Sequence, residues 1–210
     1  MNRFNRTVMG WVLCACLLLA GSVSAGPAEV KGSASETIKQ TSERMLAALE
    51  RQRSVLERDP SRIYGLVDQI LVPHFNFERI TRAAVGKQYW GKATQTQRRA
   101  LTRGFQELLI RTYAKALLNY SGQKIRYLSE KPGRKSSVLV FTEVRESGAD
   151  SIPVNYKVHK KGGEWKIYDV KIDNVSLVKN YKGTFTREIN SKGIDALISR
   201  IKEMNAKGRQ

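Results

Sequence analysis

The spacing of apolar residues changes at Gly122, and this constrains the fold more than any other feature. Before Gly122 they recur every three to four positions; after it they recur every two; beyond Val175 the helical spacing returns. Helices first, an antiparallel meander next and helices last predict an α+β domain. Ser33-Ala34-Ser35-Glu36 has capping-box spacing. Ile38, Met45, Leu46, Leu49 and Leu56 follow as one amphipathic helix, stopped by Asp59-Pro60. Ile63, Val67, Ile70 and Leu71 predict a second helix, ended by Pro73. Phe75, Phe77, Ile80, Ala84 and Val85 predict a third, with Gly86 as its cap. Tyr89 and Trp90 read as a connector. Thr94-Gln95-Thr96-Gln97 opens the longest helix, with Leu101, Phe105, Leu108, Leu109, Tyr113, Ala116, Leu117 and Tyr120 on one broad stripe. Such a stripe suits an ordinary core or, in part, a wall facing a ligand.

The two-residue period predicts a short strand over Lys124 to Leu128, a turn at Lys131-Pro132-Gly133, and strands over Ser136 to Glu146 and Ile152 to Lys160. Val138, Val140, Thr142 and Val144 share one face of the second; Val154, Tyr156 and Val158 share one face of the third. Gly162-Gly163 is a hairpin turn into a strand starting at Glu164. There the alternation breaks. Trp165 and Ile167 fall on one face, Tyr168, Val170 and Ile172 on the other. Either both faces are buried or a bulge near Asp169 re-aims the second half. The expectation is a bend carrying Trp165 and Ile167 to one part of the structure and Val170 onward to another. A last amphipathic helix follows Gly193, with Ile194, Leu197, Ile198, Ile201 and Met204.

Arg3 and Arg6 precede an apolar run from Val8 to Ala20, and Val23-Ser24-Ala25 supplies the small residues of a cleavage site. This predicts a secretory signal peptide over residues 1–25. A membrane anchor and a lipoprotein box at Leu13-Cys14-Ala15-Cys16 are the weaker alternatives. Both cysteines lie in that segment, so the exported chain has no thiol for a disulfide, a metal or nucleophilic catalysis. Removing Arg3 and Arg6 from 37 basic residues leaves 35 against 19 acidic, a net charge of +16. For an exported protein this balance points to phospholipid head groups rather than nucleic acid. The basic residues are scattered: Lys157, Lys160, Lys161, Lys166 and Lys171 on strands, Arg98, Arg99 and Arg103 on the long helix.

Catalytic signatures are sparse. His74 and His159 have no metal-ligand spacing, and His159 falls on a polar strand face. There is no Gly-rich phosphate loop, G-x-S-x-G elbow or H-E-x-x-H helix. Asp169 and Asp173 alternate along one strand. A carboxylate in an apolar cavity is a candidate general base, and a carboxylate satisfied by hydrogen bonds at a bulge is the alternative.

Gly86-Lys87-Gln88-Tyr89-Trp90, Thr94-x-x-Gln97, Leu117-Leu118-Asn119-Tyr120, Trp165-Lys166-Ile167-Tyr168-Asp169-Val170 running on to Val175-Ser176-Leu177, and Lys192-Gly193-Ile194-Asp195 occur in that order behind a secretory leader. This pattern resembles the MlaC, or toluene-tolerance, family of periplasmic phospholipid-binding proteins over essentially all of the exported chain. The resemblance implies a curved NTF2-like sheet with a helical subdomain around an apolar lipid cavity. It also implies a soluble, non-enzymatic carrier that shuttles glycerophospholipid between outer and inner membranes and so maintains outer-membrane lipid asymmetry. Its implied partners are the inner-membrane Mla ABC transporter complex through MlaD, and the outer-membrane MlaA–porin complex; no cofactor beyond the cargo is implied. Tyr181-Lys182 stands where many members carry Tyr-Arg; lysine keeps the charge but not the bidentate fork.

Two chains of roughly 16 carbons, at ~0.8 kcal/mol per buried CH₂, yield ~20 kcal/mol or more before ordering costs. The expected lining residues are Tyr89, Phe105, Leu108, Leu109 and Tyr113 from the helices. From the sheet side they are Val140, Val154, Tyr156, Trp165, Ile167, Val170, Val175 and Leu177. The expected organisation is a phospholipid-binding domain over residues 26–205, helical over 33–121, a sheet over 124–175 and helical again over 176–205, with a flexible tail over 206–210. Alternatives are an enzyme on the same scaffold with Asp169 as general base, and a basic adaptor with a filled core.

Overall fold

The computed structural model describes residues 32–145 and 150–207; the expected signal peptide, both cysteines and residues 208–210 lie outside them. Eight α-helices and five strands are present among the described residues. Ser33 opens α1 (Ala34–Arg51), its hydroxyl accepting from the Glu36 amide. The single helix expected up to Asp59 is broken at Gln52, where α2 (Arg53–Arg58) starts. Then come α3 (Ile63–Ile70), a 3-10 turn over Val72–His74, and α4 (Phe77–Val85), closed by Gly86 at φ 92°. The expected connector around Tyr89 and Trp90 is instead a short helix, α5 (Lys87–Lys92). The Thr94–Gln97 capping box is complete in both directions at the start of α6 (Gln95–Ala114), which runs on into a 3-10 turn over Lys115–Asn119.

The sheet is an open, curled antiparallel meander in the order β1 (Lys124–Pro132), β2 (Ser137–Arg145), β3 (Ile152–Lys161), β4 (Glu164–Ile172), β5 (Val175–Ser176). The expected α+β class and curved antiparallel sheet are therefore present. β1 is longer than its alternation suggests because a bulge at Leu128 shifts its phase, after which pairing resumes from Ser129 opposite Phe141 to Pro132 opposite Val138. Pro132 fits there because β1 is an edge strand with no second neighbour. Past the bulge, the Glu130 carboxylate accepts from the Ser35 amide and hydroxyl at 3.0 and 2.7 Å, fixing the start of α1 to the sheet.

The broken alternation of β4 is a bulge, but its consequence differs from the expected bend. Ile167 opposes Val158 and Asp169 opposes Lys157, so Tyr168 is the extra residue. The insertion returns Val170 to the face that Ile167 occupies, and Trp165, Ile167 and Val170 pack in one apolar cluster with Val140 and Val158. Tyr168, the extra residue, is half-buried and packs instead against the apolar cluster that α4, α6, α7 and α8 build. Its ring lies under the Arg79 guanidinium at 3.8 Å and edge-on to His159. His159 is thus half-buried rather than plainly exposed, its Nε2 facing the Asn76 side-chain amide nitrogen at 3.0 Å. Asp173, expected to share a face with Asp169, instead sits with Asn174 in a two-residue turn at φ 46° and 64°.

The closing helices are α7 (Leu177–Lys192) and α8 (Ile194–Lys207). α8 includes Ala206 and Lys207, placed in the flexible tail by the sequence reading, and buries Asn205, whose side-chain amide donates to the Gly104 carbonyl at 3.0 Å. α6, α7 and α8 interlock around Phe105, Phe185, Leu197 and Ile201 in a solid core. α6 and α8 approach so closely that a Cβ on Gly104 would lie 2.9 Å from Ile201.

Candidate functional site: an apolar cavity between helices and sheet

From Leu109 onward α6, still packed against the solid core, also forms one wall of a cavity of about 310 Å³. Leu109, Ile110, Tyr113 and Ala114 contribute from α6, Ala116 and Leu117 from the 3-10 turn that prolongs it. Ile38, Thr41 and Ser42 of α1 and Val67 of α3 face them. Val154 and Tyr156 of β3 and Ile167, Val170 and Ile172 of β4 form the sheet side, and Leu177 and Val178 of α7 close it. Phe75 and Phe77, stacked at 5.6 Å, form a further part of the wall. Backbone pairing holds this segment: Phe75 bridges Ile167, and the Asn76 amide donates to the Ile167 carbonyl at 2.8 Å. Ala116 and Ile172 are both lining and exposed, which places an opening between the 3-10 turn and the end of β4. Beside it Ile152 and Val175 are also exposed, giving the opening an apolar rim.

The structure brings together Leu109, Tyr113, Val154, Tyr156, Ile167, Val170 and Leu177 from the residues singled out in the sequence. The others lie elsewhere. Phe105 and Leu108 belong to the solid core, and Tyr89 packs against that core with its hydroxyl on Asn190. Val140 is covered by Ala34 and Ile38. The Trp165 indole donates to the Gly32 carbonyl at 3.3 Å, and Val175 is 58% exposed on the rim. Tyr181 stacks edge-on with Phe105 in the solid core, and Lys182 is exposed. The sequence reading missed α1, α3, Phe75 and Phe77. Two cues point to them: the polar pair Thr41-Ser42 on the buried side of α1, and two phenylalanines spaced by two residues, off the helical period, just after Pro73.

Little in the cavity is polar. The Tyr156 ring faces the open space, while its hydroxyl is enclosed near Ser42 and Thr142. Burial pushes its pKa up to about 12, with a smaller rise from Tyr127 and opposing hydrogen bonds from Ser42 and Thr142. Burial likewise raises Tyr113. Asp169 is the one carboxylate among the described lining residues, and it is fully engaged. Lys157 Nζ lies 2.9 Å from one of its oxygens, the Ser176 hydroxyl reaches both at 2.9 Å, and the Val178 amide donates at 3.4 Å. It therefore ties the bulge of β4 to the first turn of α7, which Ser176 itself caps through the Lys179 amide. No cluster of three metal-ligating side chains occurs among the described residues, and no helix there is long and apolar enough to cross a membrane.

An apolar hollow walled by aliphatic and aromatic side chains, with the one carboxylate among its described lining residues committed to holding a helix, has the form of a container suited to a hydrophobic ligand. Residues 39–203 match the model of the MlaC protein family, and the chain belongs to that family. It is 27% identical over 201 residues to the intermembrane phospholipid transport system binding protein MlaC of Haemophilus influenzae, covering 94% of this chain and 91% of that one. It is 24% identical over 160 residues to the toluene tolerance protein ttg2D of Pseudomonas putida, covering 76% and 74%. A phospholipid-binding protein of Ralstonia solanacearum, solved in complex with a phospholipid, superposes with a TM-score of 0.78 at 31% identity, over 85% of this chain and all of that one.

Proposed function

We propose that the protein is a soluble periplasmic carrier that binds glycerophospholipid by its acyl chains and shuttles it between the outer and inner membranes, so maintaining outer-membrane lipid asymmetry. The observation that carries this reading is the 310 Å³ apolar cavity with an exposed apolar rim, whose volume lies at the low end of the range for ligand sites. Each methylene moved from water into such a space contributes about 0.8 kcal/mol. The walls need supply nothing else, which suits the small number of polar groups. The phosphate stays at the opening, in water. The phospholipid in the Ralstonia relative and the transport role named for the Haemophilus relative support the same reading.

The carrier works without a cofactor and without catalysis. Asp169 has too many partners to serve as a free base. Export follows from the signal peptide over residues 1–25, and the exchange partners are the MlaD-containing inner-membrane transporter complex and the outer-membrane MlaA–porin complex. The net charge of +16 on the exported chain favours encounter with an anionic membrane surface. The test is lipid extraction and mass spectrometry of the purified protein, followed by incubation with phospholipid vesicles. Phospholipid in the extract, or its uptake from vesicles, is expected. Failure of both overturns the reading.

A further inference from the structure

Leu117 lines two hollows. One is the main cavity; the other is a groove of about 200 Å³ behind it, walled by Leu49, Leu56, Pro60, Leu118 and Tyr120. The groove lies between α2, which starts where the first helix breaks at Gln52, and the 3-10 turn Lys115–Asn119. Its polar residues, Arg53 and Glu57, have opposite signs, so it does not select an anion. Arg53 is in any case occupied: it donates to Glu50 at 2.7 Å and to the Tyr120 carbonyl at 3.4 Å, strapping α2 to the end of the 3-10 turn. What remains is a mainly apolar recess separated from the main cavity by one aliphatic side chain, Leu117, which lines both. That side chain stands on a 3-10 turn, whose backbone bonding is poorer than that of an α-helix and repacks more readily.

We propose that this recess is a second compartment for the cargo's acyl chains, and that Leu117 is the partition between the two. The inference rests on the lipid-carrier reading and deepens it. Chain segments that fill the main cavity pass Leu117 and bury their ends against Leu49, Leu56 and Leu118. The compartment thereby sets the chain length the protein holds well. Short chains end before the partition and do not sense it.

The discriminating experiment pairs chain length with Leu118→Trp. Leu118 lines the recess and not the main cavity, so the indole fills the second compartment alone. Wild type and variant are incubated with monomeric dihexanoyl phosphatidylglycerol or with dipalmitoyl phosphatidylglycerol vesicles, and bound lipid is measured by mass spectrometry. The expected result is about a tenfold loss of affinity for the palmitoyl lipid, the effect of excluding roughly two methylenes, with hexanoyl binding unchanged. Leu118→Phe, a smaller insertion, shows the same pattern to a lesser degree and replaces the Trp variant if that one fails to fold. Equal palmitoyl binding by variant and wild type overturns the proposal, as does an equal loss of both lipids by a variant with wild-type circular dichroism. If wild type binds neither lipid, the carrier reading itself fails, and the partition with it.

Discussion

The two ends of α6 face two apolar regions made from the same kinds of residue, and only one of them is filled. At its start Leu101 and Phe105 meet α7 and α8, and Phe105 contacts Tyr181 and Phe185 edge-on, each at 5.0 Å between ring centroids. At its end Leu109, Ile110 and Tyr113 face α1, α3 and the sheet across open space. One helix thus packs into buried core along its length and, from Leu109 onward, also serves as a cavity wall. Stability resides mainly where side chains interlock, because a void leaves its lining with no partner atoms to lose. Adaptability to a ligand resides where they do not.

Truncation on the two sides sharpens this contrast. Phe105→Ala removes a fully buried ring from the filled side and is expected to cost about 3–5 kcal/mol in chemical denaturation. Leu109→Ala, four residues along the same helix, is expected to cost about 2 kcal/mol or less, since part of that side chain borders empty space. Equal losses at the two positions, measured on lipid-free protein, would break the comparison.

A second difference lies in how each region is closed. The filled core is closed by packing, whereas the cavity is closed at the sheet by one polar knot: Lys157, Asp169, Ser176 and the Val178 amide. Asp169→Asn keeps an acceptor for Ser176 but removes the charge facing Lys157, and is expected to cost about 1.5–3 kcal/mol. The same variant tests the enzymatic alternative: a carrier with this substitution still takes up lipid from vesicles if it folds, whereas a general base would be lost outright.

The filled region was the more legible in the sequence, for a physical reason. An apolar stripe such as Leu101 to Tyr113 has the same period whether it meets side chains or a void, so the helix was readable and the boundary between core and wall was not. Phe105 and Leu108 lie wholly within the core, whereas Leu109, in the same cluster, and Tyr113, packed against it, also border the cavity. The sheet was legible wherever alternation is regular, as in β3. At β4 the broken alternation correctly pointed to a bulge near Asp169, but the bulge acts to restore a common face for Ile167 and Val170 rather than to separate them. At β1 a bulge at Leu128 ended the readable pattern early and hid Glu130, which fastens α1. α1 and α3 were readable as helices, but that they and the Phe75–Phe77 segment face a void depends on long-range packing, to which only the Thr41-Ser42 pair and the two-residue phenylalanine spacing give a local cue.

The smallest effect concerns Tyr156, whose ring faces the cavity while its hydroxyl lies in the packed seam between α1 and the sheet. Its folded pKa, about 12, stands above the ordinary value of 10.0 that it regains on unfolding. The unfolded protein therefore releases this proton first as the solution becomes alkaline. The hydroxyl's contribution is fully present below pH 10 and is lost as pH rises from there through about 12. Tyr156→Phe removes that loss. Compared with wild type, the variant is expected to show a flatter decline of stability over this alkaline window, and wild type a late tyrosinate absorbance step that the variant lacks. Near neutral pH the two differ by about 1 kcal/mol, the net worth of one hydrogen bond. Tyrosinate formation at the ordinary pKa would mean that water reaches the hydroxyl through the cavity, and that the seam behind the sheet wall is as open as the cavity in front of it.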